Sequence, residues 1–119
     1  METSNDIVRK VLKTDEFHSY FSLLDRKTQE KYDYAIEIMK TQKVVSTKFV
    51  KKIQETEFYE VRVSIKTNEY RTLLVAADNP NFVEAKTIVL LNSFLKKDTK
   101  QYKKEIEKAR AILIKEDII

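Results

Sequence analysis

Two arginines set nine residues apart, Arg62 and Arg71, carry the strongest chemical signal in this chain. They lie in the stretch F-Y-E-V-R-V-S-I-K-T-N-E-Y-R-T-L-L, residues 58–74, where two runs of alternating β-branched and aromatic residues flank Thr67-Asn68. That is a hairpin pattern, with asparagine able to take a positive φ. With Thr67-Asn68 as a two-residue loop, Lys66 faces Glu69, Ile65 faces Tyr70, Val63 faces Thr72 and Val61 faces Leu74. The last three pairs share one face, suited to burial. Glu60, Arg62, Ser64 and Arg71 share the other, and the two arginines become diagonal neighbours roughly 7–8 Å apart. The alternation fixes the faces, since a one-residue slip would drive both arginines into the core. Two permanent charges side by side repel, so an anion has to offset them. A planar fork of N–H donors suits phosphate oxygens in particular.

The elements that must position these residues follow in chain order. Residues 7–12, I-V-R-K-V-L, read as a short strand, at an edge because Arg9 and Lys10 are charged. Asp15 reads as the N-cap of a first helix with Phe17, Phe21 and Leu24 on one stripe. Asp25 caps a second, running to about Lys40, with Tyr32, Ala35, Ile36 and Met39 on its buried face. The short link between them implies an antiparallel helical hairpin. Ser46 is read as the cap of a short third helix containing Phe49, Val50 and Ile53, with Lys48, Lys51 and Lys52 on its other side. After the strand pair, Asp78-Asn79-Pro80-Asn81 is the clearest loop signal. Residues 87–95, T-I-V-L-L-N-S-F-L, look like a strand covered on both faces. A last amphipathic helix spans residues 101–115, with Ile106, Ala109, Ile112 and Leu113 inward. The expected class is α+β: a small, mostly antiparallel sheet packed by helices on one side.

A length of 119 residues suggests one domain, 1–119, with a 42% hydrophobic fraction typical of a globular chain. There is no cysteine and a single histidine, His18, which excludes disulfides and thiolate metal sites and leaves little for a histidine metal cluster. There is no glycine either, so P-loops and dinucleotide fingerprints are ruled out and side chains must grip any phosphate. No cofactor is expected. A net charge of +4 and a pI near 9.2 hint at a polyanionic partner. Polar residues follow Met1 directly and no run is long enough to span a membrane, so the expected location is the cytoplasm.

F-Y-E-V-R at residues 58–62, E-Y-R-T-L-L at 69–74, V-L-L-N-S-F-L-K-K at 89–97 and K-E-I-E-K-A at 104–109 together resemble the RelE/HigB-like toxins of type II toxin–antitoxin modules. The nearest pattern is the phage-derived HigB-like branch, and the resemblance spans residues 17–109. It implies the RelE-type microbial RNase fold and a metal-independent endoribonuclease that cuts mRNA, usually on the ribosome, and so inhibits translation. It also implies a cognate antitoxin, commonly a helix-turn-helix DNA-binding protein. Arg62 matches the arginine of Y-E-x-R, Arg71 that of Y-R, and Lys96 and Lys97 the F-x-K-K pair. Thr56-Glu57 and Asn92-Ser93 stand where many members have glycine. The histidine that some members carry near the end of the last strand is absent, which leaves the general base open.

Such cleavage needs a base for the 2′-hydroxyl, charge stabilisation at the phosphorane and an acid for the leaving oxygen. Arg62 and Arg71 suit the second task. One of Lys96, Lys97, Lys51 or Lys52, its pKa lowered by neighbouring cations, suits proton transfer. Lys51 and Lys52 also read as RNA contacts, as does Tyr102. Phe58 and Phe94 are core by default, but either could offer a ring to a base. The bland readings are specific. Glu60 can simply neutralise Arg62, and its flanking arginines argue against it as a base. Lys96-Lys97 on its own is a solvated strand end, and His18 a surface residue. Two other functions share this pattern: a ParE-like gyrase poison that acts by binding, and an RNA- or ribosome-binding module without activity.

Overall fold

The computed structural model describes residues 6–118. The elements are β1 (Lys10–Lys13), α1 (Asp15–Ser22), α2 (Arg26–Thr41), β2 (Val50–Lys52), β3 (Phe58–Ile65), β4 (Asn68–Ala76), β5 (Thr87–Lys96) and α3 (Gln101–Lys115). The five strands form one sheet in the order β1-β5-β4-β3-β2, antiparallel throughout except for the parallel β1–β5 pair. The chain is α+β, with two N-terminal helices and one C-terminal helix among the described residues. None of those helices is long and apolar enough to cross a membrane.

Helices cover both faces of the sheet, not one as the pattern suggested. Phe17, Tyr32 and Met39 from α1 and α2 pack on Val61, Val63, Leu74 and Leu90. Ala109, Ile112 and Leu113 from α3 pack on Phe58, Leu73, Leu91 and Phe94 on the opposite face. The cause lies in β4 and β5, which are apolar on both sides, so each side needs a cover.

The expected third helix is a strand. Ser46 accepts the amides of Phe49 and Val50, closing a single helical turn. The chain then straightens and β2 pairs with β3, Val50 against Val61 and Lys52 against Tyr59. Pairing with a neighbouring strand outweighs the weak helical pattern of a three-residue segment. Thr14, not Asp15, caps α1, its hydroxyl accepting the Phe17 amide. Asp25 caps α2 as expected.

The hairpin turn sits one residue earlier than Thr67-Asn68. Ile65 pairs with Asn68, and the loop is Lys66-Thr67. Lys66 takes the positive φ, 55°, at the first central position, the sign pattern of a type II′ turn. Every partner across the ribbon moves by two residues, so the faces are unchanged.

Arg9 is a core residue, not an edge charge, and β1 begins after it. The side chain is 1% exposed. Its guanidinium donates to the carbonyls of Met39, Gln42 and Lys43 at the end of α2 and of Phe82 and Val83 in the β4–β5 connection. It also lies 4.1 Å from the centre of the Phe82 ring. With no carboxylate among these partners, the charge is solvated by peptide dipoles.

Candidate active site

Arg62 and Arg71 stand directly opposite each other on the α3 face of the sheet. Arg62 spends its amide on the Phe49 carbonyl, on the β2 side. Toward β4 it therefore belongs to a non-hydrogen-bonded pair, in which Cα atoms lie about 4.5 Å apart and side chains approach most closely. The shifted turn thus brings the arginines nearer than the diagonal arrangement would have done.

Carboxylates from the same strands offset the repulsion. Glu60, two residues before Arg62 and so on the same face, is 7% exposed. Its Oε1 lies 3.5 Å from Arg71 Nε and its Oε2 lies 3.9 Å from Arg62 Nε. The Tyr102 hydroxyl, reaching from the first turn of α3, donates to Glu60 Oε1. Glu69, two residues before Arg71, accepts from Arg71 Nη1 at 3.2 Å and from Ser64 Oγ at 2.6 Å. The Ser64 bond first, and Arg71 after it, hold the Glu69 carboxyl below the ordinary range. Burial, then the bond to Glu60, pushes the Tyr102 phenol up to about 12, so it remains a donor at neutral pH.

Exposure separates the two arginines. The Arg71 side chain is 3% exposed, bonded to Glu69 through Nη1 and facing Glu60 through an Nε that makes no hydrogen bond, whereas that of Arg62 is 31% exposed. The expected pair of open phosphate forks is therefore a single open fork beside a closed one. Acidic residues at the i−2 position of each arginine supply the counter-charge locally, and Arg71 is flanked by its β5 partner Phe94, whose ring packs edge-on to Tyr102.

The remaining candidates divide by strand parity. Lys96 pairs with Glu69, and its ammonium lies 5.9 Å from the centre of the Tyr102 ring. Lys51 is exposed opposite Glu60 on the edge strand. Both share the arginine face. Lys52 lies on the other face, where its ammonium bonds the Ile53 and Thr56 carbonyls and sits 5.7 Å from the Tyr59 ring centre. Lys97 is exposed just beyond β5, its amide bonded to Gln101 Oε1. Phe94 pairs with Arg71 but is 5% exposed, edge-on to Tyr102 at 5.4 Å, so no ring face is open to a base. Phe58 is fully buried. His18 is exposed on α1, beside Phe17 and away from the cluster.

Sequence reasoning undervalued Glu60 and passed over Glu69 as a partner of Arg71. The readable signal was a repeated spacing, Glu60-x-Arg62 and Glu69-x-Arg71, which in strands puts each acid beside its arginine. The assembled cluster holds three cations, Arg62, Arg71 and Lys96, against two carboxylates. A phosphate meeting it would first reach Arg62, with the Glu60 carboxylate immediately behind. Among the described residues no group of three or more histidine, aspartate or glutamate side chains is placed to hold a metal ion.

No curated protein and no solved structure matches the chain. A family model does: that of the phage-derived protein Gp49-like family (DUF891), over residues 19–113, from within α1 to near the end of α3. With most of its length covered by that match, the chain belongs to the phage-derived Gp49-like family, a family associated with toxins of toxin–antitoxin modules.

Proposed function

We propose that this protein is the toxin of a type II toxin–antitoxin module and a metal-independent endoribonuclease of the RelE/HigB kind, acting on mRNA at the ribosome in the cytoplasm and restrained by a cognate antitoxin, of helix-turn-helix type. The observation that carries this reading is the Glu60 carboxylate set between Arg62 and Arg71 under the Tyr102 hydroxyl, with Lys96 alongside.

In this reading the scissile phosphate binds the exposed Arg62 guanidinium, which is only loosely paired with Glu60 at 3.9 Å. Against the expectation drawn from its flanking arginines, the base in this reading is Glu60: Oε2, the oxygen that the Tyr102 hydroxyl leaves unbonded, takes the proton of the neighbouring 2′-hydroxyl, brought there by the phosphate on Arg62. The 2′-oxygen forms a bond to phosphorus, and the bond from phosphorus to the 5′-oxygen breaks. Lys96 gives a proton to the departing 5′-oxygen, leaving a 2′,3′-cyclic phosphate and a 5′-hydroxyl end. Arg62 stabilises the charge on the phosphorane. Arg71 and Tyr102 hold Glu60 in place and do not touch the substrate. The ribosome would contribute by orienting the 2′-hydroxyl in line.

Primer extension on transcripts from cells expressing the protein tests the proposal. New 5′ ends are expected with the parent chain. Arg62→Ala is expected to lower their appearance by about 10²–10³-fold, the usual loss for one oxyanion donor. Unchanged cutting by Arg62→Ala refutes the assignment. One observation favours a second reading: Arg71 is closed off by Glu60 and Glu69. The cluster would then be a structural brace in a toxin that acts by binding, as a ParE-like gyrase poison or an inactive ribosome-binding module does. Growth arrest without any new 5′ ends would select it.

A further inference from the structure

The α2 side of β3 carries a feature that the proposed chemistry does not use. An open groove of about 840 Å³ runs between α2 and the outer edge of β3. One wall is a single face of α2, with Lys27, Lys31 and Tyr34 at i, i+4 and i+7. The other wall is β3 from Arg62 to Ile65 and the turn residue Lys66, with Lys48 and Phe49 at the end. The groove exists because β2 is short: its pairing begins at Val50 opposite Val61, and beyond that point the edge of β3 has no neighbouring strand.

Charge and shape point the same way. Five cations line the groove against one carboxylate, Glu30. Among the described residues, no carboxylate lies within ion-pair distance of Lys27, Lys31, Lys48 or Lys66. Lys31 spends one donor on the Ser64 carbonyl, and Asp25 feels the charges of Lys27 and Lys66 without forming an ion pair with either, so the groove keeps a cationic face. Between them stands Tyr34, 60% exposed, its ring edge-on to Phe49 at 5.8 Å and 61°. A large aromatic ring left open and braced from behind, inside a ring of cations that form no ion pair among the described residues, is a stacking platform in an electrostatic trough. We propose that this groove is a track for single-stranded RNA, its phosphates on Lys27, Lys31, Lys48 and Lys66 and a base on Tyr34.

An acidic peptide adding a strand to β3 fits less well. The Arg62 amide is already bonded to Phe49, and the outward carbonyl of Ser64 accepts from Lys31 Nζ at 3.1 Å. Two of the groups that an added strand needs are taken, in the way a lysine blunts a sheet edge. RNA needs the cations and the ring and makes no use of the backbone. Arg62 lines the groove while its Nε lies 3.9 Å from Glu60, so a strand held here ends at the cluster described above.

The test is fluorescence anisotropy with a labelled 2′-O-methyl oligouridylate of about a dozen nucleotides. This probe lacks the nucleophile for cleavage, so binding is read separately from the nuclease proposal. The parent protein is expected to bind with a marked salt dependence. Changing Lys27, Lys31, Lys48 and Lys66 together to Gln should reduce the slope of log K against log salt by about 3, at roughly 0.7 per lost phosphate contact on a single strand. Tyr34→Ala should weaken binding roughly 5- to 150-fold at fixed salt. The double change Lys103→Gln and Lys104→Gln, on the exposed side of α3, should leave binding unaltered. No binding by the parent, or a quadruple variant that binds like it, overturns the track. So does an oligoglutamate peptide that needs the four lysines when the RNA does not. A cleavage-dead Arg62→Ala chain that still binds the oligonucleotide through these lysines would uphold it, whatever becomes of the nuclease reading.

Discussion

Replacing Glu60 with Gln tests whether the arginine pair is held as described, because it removes one charge and keeps the shape. The Arg71 side chain is 3% exposed and that of Glu60 9%, so their pair is shielded from water. Breaking a buried pair from one side costs about 3–5 kcal/mol, because the remaining charge stays buried. Here Glu69 still reaches Arg71 at 3.2 Å and takes up part of that cost. The Arg62 contact, at 3.9 Å and partly solvated, contributes roughly 0–1 kcal/mol. The expected loss for Glu60→Gln is therefore about 2–3 kcal/mol. For a chain of this size it corresponds to a melting-temperature drop of roughly 10 °C, or a fall in urea midpoint of roughly 1–2 M. Arg71→Met should be similarly costly. The double variant Glu60→Gln/Arg71→Met should recover at least about 1 kcal/mol relative to the sum, since neither charge is then stranded. A Glu60→Gln chain within about 0.5 kcal/mol of the parent, or strict additivity in the cycle, would refute the pairing and with it the placement of Glu60 beside the phosphate.

Arg9→Met should cost about 3–5 kcal/mol in denaturant unfolding, because the carbonyls of Met39, Gln42, Lys43, Phe82 and Val83 lose their shared donor. Among the six tyrosines, Tyr20, Tyr32 and Tyr102 have phenols raised chiefly by burial. The folded state then holds protons that the unfolded chain has released, so stability falls as pH rises from about 10 through the raised values. An absorbance titration near 295 nm should find Tyr20, Tyr32 and Tyr102 ionising only above the ordinary phenol range or on unfolding. Glu16, Glu57 and Glu69 are lowered chiefly by side-chain hydrogen bonds to Lys115, Arg110 and Ser64, and Asp78 by the backbone amides of Lys86 and Thr87. Their contributions are present above the ordinary carboxylate values and lost as pH falls through the lowered ones, so the urea midpoint should hold between about pH 7 and 5 and decline below about pH 4. Glu55 takes a φ of 64° in the turn before β3. Glu55→Gly should raise stability by about 1 kcal/mol in the same unfolding assay.

What the sequence determined by itself is what depends on local periodicity. Alternation over residues 58–74 put Arg62 and Arg71 on one face, and that survived a displaced turn because moving every partner by two residues preserves parity. The cap at Asp25, the stripe of α2, the doubly apolar β5 and the extent of α3 were readable for the same reason. Tertiary structure decided what non-local neighbours decide. Residues 50–52 became a strand because β3 offered an edge. Lys66 took the left-handed turn position usual for glycine, in a chain with none, and brought the arginines face to face. Arg9 went inside because the end of α2 and the loop before β5, distant in sequence, present carbonyls to one point. Arg71 closed and Arg62 stayed open because Arg71 lies on β4 with a strand on each side, whereas Arg62 stands where β2 pairing has not yet begun. An arginine's type fixes its charge and its donors, but the segments that cover it determine whether that charge is spent on the protein or left for a phosphate.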